Sequence, residues 1–166
     1  MDRADFSKLL MSLNKRRETD IELWGLLAKV MVNLMNTKSL GVIDLMQVTR
    51  ALVDATVRSE KLYGFIVKYF MTIGFTEKNW GTSKVNVPIF FFFSLAKANA
   101  NLGSENAEFF DLTNSYLRSQ IDRLDEKHCE ICLDIWKLNQ NFVNEETKIL
   151  LIERKSTFNS GITEME

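Results

Sequence analysis

The chain has 166 residues, of which 46% are hydrophobic and 26% charged, so it is long enough and apolar enough to bury a sizeable core. This composition excludes a wholly disordered chain, a collagen and a small disulfide-stapled protein. Lys and Arg number 21 against 22 Asp and Glu, and the net charge of −1 gives no bulk attraction to nucleic acid. A fold of many strands needs proline and glycine for its tight turns, and the chain has only one proline and seven glycines. The composition therefore favours an all-α protein.

The sequence lacks the features of a membrane-spanning or secreted protein. Its longest apolar run, Val87 to Phe93, has seven residues, whereas a helix that spans a bilayer needs about 20. Residues 1–5 do not have the layout of a signal peptide, and residues 153–166 are polar. Cys129 and Cys132 fit a reducing compartment better than a disulfide framework. We therefore predict a cytoplasmic protein with no membrane-spanning segment.

Helical spacing of apolar residues dominates the first half of the chain, and no linker or internal repeat divides residues 1–166 into more than one domain. Thr19 and Glu22 have the spacing of a capping box, which would begin a well-buried second helix. Gly64 lies inside the fourth helix at a cost of up to ~1 kcal/mol relative to alanine. Residues 74–81 are expected to form a loop in which Trp80 is buried. The predicted helices cover about 4–15, 20–35, 43–58 and 62–73, and the pattern leaves open whether the last two are continuous.

Residues 85–95 are apolar almost all round and include four consecutive phenylalanines, 90–93. A helix of this kind needs other elements on every side, whereas a buried strand is the alternative that aromatic β-propensity favours. We favour the helix because no second convincing strand exists to pair with it. Pro88 fits the first turn with Asn86 as N-cap, and the helix would stop before Gly103.

Further helices are predicted over about 104–124, 126–138 and 147–155, the last of them begun by Asn144 and the acidic pair that follows it. Residues 156–166 are expected to be a flexible polar tail. The predicted fold is thus an all-α, single-domain bundle of six to eight helices around one central apolar helix.

The cluster of His128, Cys129 and Cys132 raises the question of a zinc or redox site. Structural zinc needs four ligands and catalytic zinc usually three, but this chain has one histidine and two cysteines in one short window. A redox-active pair of cysteines is also expected where a strand leads into a helix, and the sequence predicts no such junction here. Buried or half-buried thiols in a helix are the favoured interpretation. No phosphate-binding loop or nucleophile motif is present, so we predict a protein that is not an enzyme and has no cofactor.

The aromatic helix at 62–73 offers more apolar side chains than one core face needs. Part of it could line a groove that binds an amphipathic helix of a partner protein. A wholly buried helix is an equally good alternative. The side chains concerned are Tyr63, Ile66, Tyr69, Phe70 and Ile73.

The segment Asn79-Trp80-Gly81, followed by the apolar helix at 85–95, resembles the Bcl-2 family of apoptosis regulators. That family carries Asn-Trp-Gly at the start of a central apolar helix, with an amphipathic helix just before it. Residues 51–55 are similar to the Ala-Leu-x-x-Ala core of the family's second helix, and Trp136 falls near a later tryptophan-containing helix. The resemblance implies an inhibitor of apoptosis that sequesters pro-apoptotic BH-3 motif helices in a hydrophobic groove.

Carried over residue by residue, the resemblance implies partner-binding positions in two groups. Apolar anchors of the ligand would meet Leu52, Tyr69, Phe70 and Ile73, and its polar side would meet Asn79, Gly81 and Lys84. Ligand-binding members usually have Arg directly after the glycine, where this chain has Thr82; Lys84 could supply the charge but not the two-pronged contact. A membrane anchor is also missing, as in several virus-encoded relatives, so the host cytoplasm is the expected location. The alternative is a non-enzymatic helical scaffold that forms a homodimer or binds a host signalling protein.

Overall fold

The computed structural model describes residues 3–73, 86–98, 102 and 106–160. Over these residues the chain forms eight α-helices and one short 3-10 turn at Ile121–Arg123, and none of them is in a strand. The all-α helical bundle predicted from the sequence is confirmed. The helices are α1 (Arg3–Lys15), α2 (Ile21–Asn36), α3 (Val42–Asp54), α4 (Glu60–Thr72), α5 (Asn86–Lys97), α6 (Ala107–Ser119), α7 (Glu126–Leu138) and α8 (Glu145–Ser160).

Buried apolar side chains from all eight helices form one continuous core. Helix α5 packs against α3 and α7, while α1 lies on α3, α2 on α4, and α8 on α7. Aromatic rings connect several of these helices. The centroids of Phe70 and Phe91 are 4.2 Å apart, and Phe109 meets Phe92 edge-on at 5.8 Å. Ring pairs of this kind add about 0.5–1.5 kcal/mol each beyond the apolar area that they bury.

The apolar segment at 85–95, for which a helix and a buried strand are the alternatives, forms helix α5, so the prediction of a helix is confirmed. Pro88 lies in its first turn as predicted, but Asn86 is the first helical residue and not the N-cap. Phe91 and Phe92 are fully buried, whereas Phe90 and Phe93, at either end of the run, are only half-buried. One side of α5 is therefore less covered than a fully enclosed helix would be, and its place as the central helix stays a prediction.

The predicted capping box at the start of α2 is wrong. Asp20 is the N-cap, and its carboxylate accepts the backbone N–H groups of Glu22 and Leu23 at 2.9 and 3.1 Å. The carboxylate of Glu18 accepts the N–H groups of Thr19 and Asp20. Because Glu18 holds the backbone at Thr19, the helix begins one residue later than the sequence pattern indicated.

Helix α3 ends at Asp54, four residues earlier than predicted. Thr56 adopts a left-handed conformation with φ of 59°, and its N–H donates to the carbonyl of Val53 at 3.0 Å. The N–H of Val57 donates to the carbonyl of Leu52 at the same distance, which completes a Schellman motif. The next helix has its own N-cap at Ser59, so α3 and α4 are separate helices.

The C-terminal part of the described chain also differs from the prediction. Helix α6 stops at Ser119, and the 3-10 turn takes the place of its predicted last turn. Helix α8 continues to Ser160, so residues 156–160, predicted as flexible tail, are helical. Asn144 begins α8 as predicted, because its side-chain oxygen accepts the N–H of Thr147 at 2.9 Å. Residues 161–166, the predicted loop at 74–81 and the predicted helix end near Gly103 lie outside the described residues.

Candidate functional site

Three of the residues predicted to hold the ligand's apolar anchors belong to the core. Leu52, Tyr69 and Phe70 are buried, and only Ile73, the C-cap of α4, is half-exposed. The hydroxyl of Tyr69 donates to the carbonyl of Leu40 at 2.7 Å, and burial raises the pKa of this phenol. The three buried residues could touch a ligand only if the helices around them parted, so their binding role stays a prediction.

The residues predicted for the polar side of the ligand are Asn79, Gly81 and Lys84. All three lie outside the residues that the structure describes, as do Trp80 and Thr82. Their predicted contacts therefore stay predictions.

An open groove runs along α2 from Ile21 to Asn36. It consists of three adjoining depressions of about 820, 600 and 760 Å³, which share lining residues with their neighbours. The opposite wall is the turn between α3 and α4 and the first half of α4. We call this feature the α2–α4 groove. Its apolar and small lining residues include Gly25, Ala28, Val32, Val57, Leu62, Gly64 and Phe65.

The sequence of α2 explains why the groove is open. Its buried face repeats at helical spacing as Trp24, Leu27, Met31 and Met35. A second face, offset by one residue, carries Ile21, Gly25, Ala28 and Val32, and this face forms the groove wall. The breadth of the apolar surface predicted a well-buried helix. That expectation is wrong in part, because Ile21 is 86% exposed and Leu26 58% exposed.

Two glycines widen the groove from opposite walls. Gly25 lies in α2 and Gly64 in α4, and a Cβ atom built on either would have no neighbouring atom within 4 Å. A glycine inside a helix costs about 1 kcal/mol relative to alanine. Since no packing contact of the described chain requires these two glycines, their effect is to leave bare backbone at the surface of the groove.

Basic side chains outnumber acidic ones by five to three among the residues that line the groove. Lys29, Lys61 and Lys68 are exposed and form no ion pair within the part of the chain that the structure describes. At the other end, Asp54 is already paired with cationic groups, at 3.7 Å from Arg50 and 3.4 Å from Lys97. The arrangement favours a partner with acidic side chains.

The two cysteines of the predicted cysteine and histidine cluster lie inside a helix. Cys129 and Cys132 are free, fully buried thiols in α7, as predicted, and burial raises the pKa of both. Burial therefore favours the protonated form of both thiols. Among the described residues, no group of three or more His, Cys, Asp or Glu side chains could hold a metal ion.

None of the described helices combines the length and the apolar character needed to cross a membrane. No protein-family model, curated protein or solved structure matches this chain. The resemblance to the Bcl-2 family therefore depends on the motif residues alone, and the candidate site depends on the geometry of the groove.

Proposed function

We propose that this chain inhibits apoptosis by binding a pro-apoptotic amphipathic helix in the α2–α4 groove. The observation that carries the proposal is an apolar groove that follows the full 16 residues of α2, a length of roughly 24 Å. A ligand helix of about four and a half turns has the same length. The resemblance at residues 79–81 supports the proposed class of ligand, and the groove supports the proposed place of binding.

Apolar burial would supply most of the binding energy. Residues at positions i, i+3 or i+4 and i+7 of the ligand would pack on Val32, Leu62 and Phe65, which line the depression beside the second half of α2. Such burial contributes about 25 cal/mol per Å², less the cost of ordering the ligand. Gly25 and Gly64 would let the two backbones approach closely.

The polar contacts would fix orientation. Acidic residues of the ligand would meet Lys29, Lys61 and Lys68, whose charges raise the association rate more than the affinity. Asn79 and the backbone of Gly81 stay the proposed polar contacts that the resemblance implies, together with Lys84.

The proposal is tested by calorimetric titration with a panel of pro-apoptotic helix peptides. Each peptide is paired with a control in which the anchor leucine is changed to a charged residue. We expect sub-micromolar binding, near −8 kcal/mol or stronger, that the control peptide loses. If the folded protein binds none of these peptides, the proposed function is contradicted.

The groove is tested separately by variants of its wall. Phe65→Glu places a charge where the apolar anchors bind, and we expect a loss of roughly 30-fold or more in affinity. Gly64→Leu fills the same depression from a position with open space and should act in the same direction. Ile149→Glu, at a 53% exposed position on α8, is the matched control and should bind normally. Normal binding by both groove variants would place the ligand elsewhere.

A further inference from the structure

The outward face of α2 carries an exposed leucine between two charged residues. Glu22, Leu26 and Lys29 follow one another at spacings of four and three residues, so they share one side of the helix. Leu26 is 58% exposed. Neither charged side chain forms an ion pair with any residue that the structure describes.

From this pattern we infer that α2 pairs with α2 of a second copy of this chain, antiparallel around a two-fold axis. In such an interface the same surface is used twice, so a residue that contacts another is contacted by it in return. Glu22 and Lys29 are seven residues apart, about two helical turns. An antiparallel pair brings Glu22 of each copy to Lys29 of the other, and both ion pairs form together.

The two-fold axis passes midway between Glu22 and Lys29, beside Gly25 and Leu26. The leucines of the two copies meet at the axis and bury the exposed apolar surface. Gly25 presents no side chain and has open space above it, so the two helices approach closely. The positions of Glu22 and Lys29 thus predict a two-fold axis beside Leu26, which is exposed, and Gly25, which leaves the backbone bare.

The expected dimer is weak, because one helix on each side buries an area at the small end of protein interfaces. We expect a Kd in the range of about 10–100 μM. The dimer face and the α2–α4 groove share Gly25 and Lys29, so a second copy and the ligand of the proposed function would compete there, whereas Glu22 and Leu26 do not line the groove. Variants at these two positions leave the groove wall unchanged.

Sedimentation equilibrium of the full chain, from roughly a tenth of this Kd to ten times above it, tests the pairing. We expect a monomer–dimer equilibrium that Leu26→Glu shifts to monomer and that Ile149→Glu leaves unchanged. Both positions are exposed, and the melting temperature of each variant checks that it folds. A monomer at every concentration, or a dimer that Leu26→Glu does not weaken, would overturn the inference.

Charge exchange tests the antiparallel register. Glu22→Lys and Lys29→Glu each replace two attractive contacts with two repulsive ones, and each should weaken the dimer by about tenfold. The double variant should recover the original affinity, and an equimolar mixture of the two single variants should form a heterodimer. Lys127→Glu, an exposed charge change on α7, is the control. Single variants as strong as the parent, or a mixture that stays monomeric, would exclude this register.

Discussion

Thr56 is a β-branched residue in a conformation that costs such residues about 1–2 kcal/mol. Thr56→Gly removes this cost at the end of α3, although the freer unfolded chain of glycine offsets part of the gain. We expect a net increase of about 1 kcal/mol in the free energy of unfolding, measured by urea denaturation. Thr56→Ala keeps the positive φ and should gain much less. A less stable glycine variant would contradict the left-handed helix end.

Gly64 connects stability to binding at a single position. Because a Cβ atom there has open space, Gly64→Ala should raise the free energy of unfolding by up to about 1 kcal/mol. The same methyl group would stand between α4 and a ligand helix, so we expect weaker binding of the peptides that the parent protein binds. Thermal melting and calorimetry measure the two effects. A more stable protein with unchanged affinity would show that the ligand does not approach α4 closely.

At the scale of elements, Arg154 joins α8 to the segment between α6 and α7. Its Nε and Nη2 donate to the carbonyls of Leu124 and Asp122 at 3.1 and 3.0 Å. The guanidinium also lies 4.8 Å from the ring centroid of Phe158. The planar guanidinium reaches these two backbone acceptors with two separate nitrogen atoms, whereas a lysine carries all its donors on one nitrogen.

We therefore expect Arg154→Lys to lower the free energy of unfolding by about 1 kcal/mol and Arg154→Met by about 2 kcal/mol. Urea denaturation measures both. The adjacent Lys155, which forms an exposed ion pair with Glu130, provides the control. Lys155→Met should cost less than about 1 kcal/mol. Equal losses at the two positions would mean that the carbonyl contacts of Arg154 do not stabilise the fold.

Element bounds could be predicted where local signals determine them. Helix α7 was predicted at 126–138 and lies at Glu126–Leu138, because Asp125 caps its start and the apolar period is regular. The end of α3 could not be predicted, since no propensity rule favours a threonine at a left-handed position. Helix α8 continues beyond its predicted end at 155 although its sequence becomes polar there. Arg154, the residue before that end, is held by the carbonyl of Leu124 and contacts the ring of Phe158 in the added turn.

The candidate groove could not be predicted for a different reason. Helix α2 has apolar residues on several faces, and the sequence does not say which faces other helices cover. Packing covers the face of Trp24 and leaves that of Val32 partly open. The reverse holds for α4, where Tyr69 and Phe70 were predicted at a binding surface but pack inside. Gly25 and Gly64 are the sequence features that could have indicated the groove, because each is a poor helix former that lies inside a helix.

At the scale of the whole molecule, the core encloses several groups that would ionise in alkaline solution. Burial raises the pKa of the Cys129 and Cys132 thiols above the ordinary value of 9.0, and that of the Tyr63 and Tyr69 phenols above 10.0. The folded state therefore keeps these protons at a pH where the unfolded chain releases them. Their contribution to stability is complete below about pH 9 and is lost as the pH rises further.

Tyr69→Phe isolates one of these groups. At pH 7 the variant loses the hydrogen bond to Leu40 and should be about 1 kcal/mol less stable than the parent. Above pH 10 the parent also loses stability because its unfolded state ionises Tyr69, whereas the variant has no phenol there to ionise. The two curves of unfolding free energy against pH should therefore converge as the pH rises, measured by urea denaturation from neutral to alkaline pH. Parallel curves would mean that the pKa of Tyr69 is the same in the folded and unfolded chains, and that its burial carries no electrostatic cost.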